Sequence, residues 1–147
     1  MNVPQDAHDI EQIKRLKARY IRFGDTQNWQ ELGKLFTEDF EAIFDVAPRF
    51  SKDQPTRAAF SGRNAFIEAW APALVGVITV HQAFLPEIAL TSPTAATGTW
   101  AMQDIVLMPK CHFKGWGHYH DHYIKNNGLW KIKATRTTRL HTEEVWL

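Results

Sequence analysis

A single cysteine, Cys111, leaves no partner for an internal disulfide, so this 147-residue chain must be held by a packed core. No apolar run approaches the ~18 residues that a membrane-spanning helix needs. The N-terminus, MNVPQDAHDIEQ, is polar and acidic where a secretory signal would be basic and then apolar. Neither sign of charge dominates. Lys and Arg number 17 against 16 Asp and Glu, a net charge of +1 without the electrostatic footprint of a nucleic-acid binder. Repeats, low-complexity tracts and interdomain linkers are also lacking. These absences predict a soluble, cytoplasmic protein with one domain over 1–147, with no nucleic acid or membrane as partner. A chain of this length can bury roughly 68–70% of its unfolded surface without metals.

Aromatic side chains are abundant: nine Phe, six Trp and three Tyr. That is more ring surface than a plain core of this size requires, and a hollow lined by rings accounts for it. Ile10, Ile13, Leu16, Tyr20 and Phe23 recur at helical spacing over 6–24, with Asp6 as cap and Gly24 as stop. After the turn at 25–28, Trp29, Leu32, Leu35 and Phe36 repeat the period and predict a second, shorter helix. A strand from Phe40 and a long loop with Pro48 and Pro55 follow. A third helix is expected from a cap at 61–64 to Pro72. Strand patterns then occupy 83–91, 95–108, 112–125 and 129–140, the last pair joined by the hairpin signal Asn126-Asn127-Gly128. Connections this short make sequential strands antiparallel. Helices first and a meander last define an α+β domain.

Strand parity groups Gly98, Trp100, Met102 and Asp104 on one face. In the next strand it separates Trp116, His118, His120 and His122 from Gly117, Tyr119, Asp121 and Tyr123, and one set must face the helices. In the last strand, Arg136 shares a face with Trp130 and Ile132 unless a bulge intervenes, in which case Arg139 takes its place. Two carboxylates and a guanidinium among rings are costly unless paired, and a buried structural ion pair is one explanation. Catalysis is the other. Tyr20 and Asp25 close the first helix, and His81 follows the apolar run GVITV. A carboxylate bonded to one imidazole nitrogen would fix the tautomer and leave the other nitrogen as a general base.

The frame Arg19-Tyr20, Asp25, Gly62-Arg63, His81, Gly98-x-Trp100, Asp104, Gly117-x-Tyr119-x-Asp121-x-Tyr123 and Gly128-x-Trp130-Lys131-Ile132 resembles the SnoaL-like branch of the nuclear transport factor 2-like superfamily. The resemblance implies a cone in which three N-terminal helices pack on a curved, mostly antiparallel sheet around a deep pocket. Members include scytalone dehydratase, bile acid 7α-dehydratase, polyketide cyclases and steroid isomerases. By resemblance to the dehydratases, Tyr20, Asp25, His81, Asp104 and Arg136 or Arg139 take the catalytic positions. Trp100, Met102, Tyr119, Asp121 and Tyr123 are expected to bind substrate.

The implied activity is a cofactor-independent dehydratase-type lyase acting on a hydrophobic cyclic hydroxy-carbonyl compound. Isomerase or cyclase chemistry from the same proton abstraction is one alternative, and a non-catalytic binding or assembly module is another. A hydrogen bond between Asp25 and His81 inside one pocket would separate the enzymes from the module.

Other signals are weaker. His118, His120 and His122 span ~13 Å along one strand face, too far for one zinc ion, so neither metal nor cofactor is expected. Arg15, Lys17, Arg19 and Arg22 are read as the solvated face of the first helix. The open sheet predicts a homodimer or homotrimer.

Overall fold

Ile13 and Leu16 lie on one stripe and are buried on the inner side of α1 (Val3–Asp25). A computed structural model describes residues 3–147. The helix carries Asp25 at its last turn. There Gln27 takes a left-handed φ of 55°, and its Nε2 donates to the carbonyls of Leu74 (2.7 Å) and Val77 (3.1 Å). That turn stitches the end of α1 to the chain entering the third β-strand.

The short helix α2 (Trp29–Gly33) stops earlier than its period suggested. Phe36 opens strand β1 (Phe36–Phe44) instead, stacking on Phe40 at 3.9 Å. The long loop after β1 contains an unforeseen short strand, β2 (Ala58–Ser61), paired antiparallel to β1. Helix α3 (Arg63–Ala73) is entered through its N-cap Gly62 at φ 99°, inside the expected segment 61–64. The remaining strands are β3 (Ile78–Ser92), β4 (Ala95–Leu107), β5 (Cys111–Asn126) and β6 (Leu129–Trp146). β3 begins before the predicted residue 83, and β6 runs past 140.

Six strands form one open sheet in the order β2-β1-β6-β5-β4-β3, antiparallel except for β1 beside β6. The helices cover its concave side, where Ile13, Leu32, Phe36, Phe40, Phe66 and Ile132 form the main core. Each such side chain contributes about 1.5–3 kcal/mol when fully buried. No helix among the described residues is long and apolar enough to cross a membrane.

Parity holds in β4, whose Gly98, Trp100, Met102 and Asp104 all turn inward, and in β5, whose Gly117, Tyr119, Asp121 and Tyr123 do the same. His118, His120 and His122 alternate with them on the outer side. In β6 a bulge changes the phase. Tyr123 pairs with Ile132 and His122 with Ala134, leaving Lys133 as an extra residue. Thr135, Thr137 and Arg139 consequently face inward. This is the bulged case in which Arg139 is expected to replace Arg136: the Arg136 guanidinium lies on the exposed side, bonded to Asp45 at 3.0 and 3.3 Å, and is not in the core.

Candidate active site

Asp25 and His81 meet although 56 positions separate them. His81 Nδ1 lies 2.7 Å from Asp25 Oδ1, and the His81 backbone N–H donates to Oδ2 at 2.9 Å. Thr79 Oγ1 donates to Oδ1 at 3.0 Å. Three bonds from one strand thus hold the carboxylate at the helix end, and Asp25 in turn fixes the imidazole. Thr79 lies outside the strand expected over 83–91, because β3 starts at Ile78. Its position two residues before His81, on the same face, was the available signal.

The other imidazole nitrogen turns toward Asp104, with Nε2 4.0 Å from Oδ2. Asp104 is buried and receives both arms of Arg139, Nη1 at 2.6 Å and Nη2 at 3.0 Å. Accepting on both oxygens suits a carboxylate. It leaves Asp104 a poor hydrogen-bond donor. Arg139 Nε also donates to the Val46 carbonyl at 3.0 Å, tying the loop after β1 to the site. The pair fits only because residue 115 is glycine, since a Cβ there would overlap both the guanidinium and the carboxylate.

A hollow opens against these groups. Tyr20, Thr79, His81 and Asp104 form its polar end, while Trp29, Phe44, Phe66, Trp70 and Leu74 make the rest apolar. Such a cavity, apolar with a few convergent polar groups, suits a small hydrophobic ligand. Burial first, then the carboxylates of Asp121, Asp104 and Asp25, push the Tyr20 phenol well above its ordinary pKa, so it stays protonated.

The residues expected to bind substrate lie elsewhere. Trp100 borders a separate groove between α1 and β3. Met102 is buried, its sulfur 3.4 Å from Arg139 Nη1. Tyr119, Asp121 and Tyr123 are buried beneath α1 and do not line the hollow. Their inward direction follows parity, but the helix covers them. Lys17 is a further correction. It is buried against Asp121 at 2.8 Å and is no part of a solvated face.

Fold and site together define a cone-shaped α+β protein with an aspartate-braced histidine at the polar end of an apolar hollow. The SnoaL-like domain family matches residues 5–136, and the chain belongs to it. Solved structures agree on the fold. A scytalone dehydratase-like protein from Novosphingobium aromaticivorans is 21% identical, with a TM-score of 0.80 over 99% of this chain and 93% of that one. A Mycobacterium tuberculosis protein of unknown function is 26% identical, with a TM-score of 0.76 over 95% and 76%. A hexachlorocyclohexane dehydrochlorinase from Novosphingobium barchaimii is 11% identical, with a TM-score of 0.78 over 98% and 94%.

Proposed function

We propose that this protein is a cofactor-independent lyase that removes water from a hydrophobic cyclic β-hydroxy-carbonyl compound. The observation that carries the reading is His81, held by Asp25 through Nδ1 with Nε2 at the polar end of an apolar hollow. Nε2 takes the proton next to the carbonyl, and the C–H electron pair becomes an enolate. Tyr20, protonated throughout the physiological range, donates a hydrogen bond to the oxygen that gains this charge. The enolate collapses, the β C–O bond breaks, and the imidazolium returns its proton to the departing hydroxide as water. Asp25 and the Arg139-bound Asp104 flank the ring on either nitrogen. Dehydratase-like and dehydrochlorinase neighbours support an elimination by analogy of fold.

A β-hydroxytetralone, which aromatises to a fluorescent naphthol on losing water, is a suitable probe. His81→Ala should lower its turnover by on the order of 10²–10⁴, the range of a general base, with the melting temperature kept. Asp25→Asn should also be severe, because an amide can present its NH₂ to Nδ1 and favour the wrong tautomer. A product of unchanged mass, or an active but destabilised His81→Ala protein, would overturn the reading.

A further inference from the structure

Lys17 occupies an inward position of α1, one turn from Ile13, and its side chain is 1% exposed. Its Nζ lies 2.8 Å from Asp121 Oδ2. The sheet already loads that carboxylate. Thr135 Oγ1 donates to Oδ1 at 2.6 Å, and the Tyr123 hydroxyl donates to Oδ2 at 2.7 Å while accepting from Trp100 Nε1 at 3.0 Å. Strands β4, β5 and β6 therefore all fix where Asp121, and through it the ammonium, must stand.

The ammonium's remaining surroundings are ring faces. Nζ lies 3.7 Å from the centroid of Tyr119 and 4.4 Å from that of Tyr20. The two rings meet edge to face at 6.2 Å, and Tyr20 also lines the hollow beside His81. Burial works against the charge on Lys17, and the Asp121 carboxylate works to keep it. An apolar side chain would fill the same space without desolvating two charges, and such replacements are often neutral or stabilising. Stability alone is therefore a weak reason for the pair. The rings offer a better one.

We infer that Lys17 is a positioning residue for Tyr20, its cation holding the ring by its face and so setting the direction in which the hydroxyl enters the hollow. Attraction between an ammonium and a ring face is orientational, and desolvation strengthens it. A positive charge at the face also draws electron density from the phenol oxygen and sharpens the O–H as a donor. The inference rests on the reading of Tyr20 as the donor to the reacting oxygen.

Lys17→Met combined with Asp121→Asn removes both charges, while the asparagine oxygen can still accept from the sheet. Turnover of the β-hydroxytetralone is compared in wild type, this double variant, Tyr20→Phe and the triple variant. The double variant should lose about tenfold in kcat with KM nearly unchanged, the signature of a misaimed donor. In the Tyr20→Phe background the same pair should change kcat by less than about twofold, since no hydroxyl remains to aim. Equal losses in both backgrounds would make Lys17 a structural residue and overturn the inference, leaving the His81 reading intact. A Tyr20→Phe protein with unaltered kcat would instead remove the donor itself, and the inference with it. A second measurement does not depend on turnover. The chain has three tyrosines, so carbon-13 at tyrosine Cζ gives three resonances. The Tyr20 resonance should move in the double variant, and an unmoved one overturns the inference.

Discussion

Replacing Arg139 by methionine would strip Asp104 of both guanidinium bonds, at 2.6 and 3.0 Å, while keeping most of the apolar stem. The two side chains are 5% and 4% exposed, so little water reaches the lost bonds. Removing one partner of such a pair costs about 3–5 kcal/mol because the other charge stays buried. Loss of the Nε bond to the Val46 carbonyl adds about 1 kcal/mol. At about 3 °C per kcal/mol for a chain near this size, the melting temperature should fall by roughly 12–18 °C. Adding Asp104→Leu removes the stranded charge and should recover most of that loss. Circular dichroism melts of the single and double variants decide the matter. An Arg139→Met protein within about 1 kcal/mol of wild type, or a double variant less stable than the single, would refute the argument.

Gly115→Ala should act on the same pair, because the new Cβ displaces the guanidinium, at a cost of about 1–3 kcal/mol from overpacking alone. A crystal structure of the variant with Arg139 still on both Asp104 oxygens would contradict this. Asp9 makes the acid-dependent prediction. Burial raises its carboxyl pKa, but hydrogen bonds from Trp130, Lys125 and Gln5 outweigh burial and hold it below the ordinary value. Its stabilisation is therefore complete above the unfolded pKa of ~3.9 and lost as pH falls through the folded one, so Asp9→Asn should cost about 1.5–3 kcal/mol at neutral pH and progressively less below pH ~4. Urea titrations at several pH values test this, and a penalty that grows toward acid would contradict it. We also expect a dimer or trimer, since edge strand β3 leaves Ile78, Val80, Phe84 and Leu85 exposed. Light scattering at the 16.9 kDa monomer mass across micromolar concentrations would count against it.

The amphipathic helix and the alternating strands were legible because each shows one face to a single core. Strand parity correctly grouped Asp104 with Trp100 and Met102. What periodicity cannot carry is which distant elements meet. The contact between Asp25 and His81 depends on the Gln27 turn, whose bonds run to carbonyls 47 and 50 residues away. Lys17 is hidden in the sequence because a lysine on a helix ordinarily marks the solvated face. Its partner, Asp121, lies on the sheet, beyond any helical neighbour rule. Phe36 fits the helical period of α2 yet opens β1, because an aromatic at the end of such a period is equally the first residue of a buried strand.

The two arginines of β6 show how one residue decides a site. Simple alternation from Trp130 and Ile132 carries inward through Ala134 to Arg136, yet the extra Lys133 moves the inward set to Thr135, Thr137 and Arg139. Deleting Lys133 should leave that set inward, because Ala134 then takes the outward place between Ile132 and Thr135 as in a regular strand. The deletion loses an exposed ion pair with Asp39, worth about 0–1 kcal/mol, and some local twist. Inserting one alanine after Lys133 puts three residues between Ile132 and Thr135: unless a wider bulge absorbs it, Thr135 and Arg139 keep the inward face but slip two places along β5. Asp121 then loses one hydroxyl donor, and Arg139 is carried about 6–7 Å along the sheet from its place on Asp104. The deletion variant should therefore melt near wild type and the insertion variant many degrees lower. If the deletion instead put Arg136 against Asp104, the phase argument for β6 would fail.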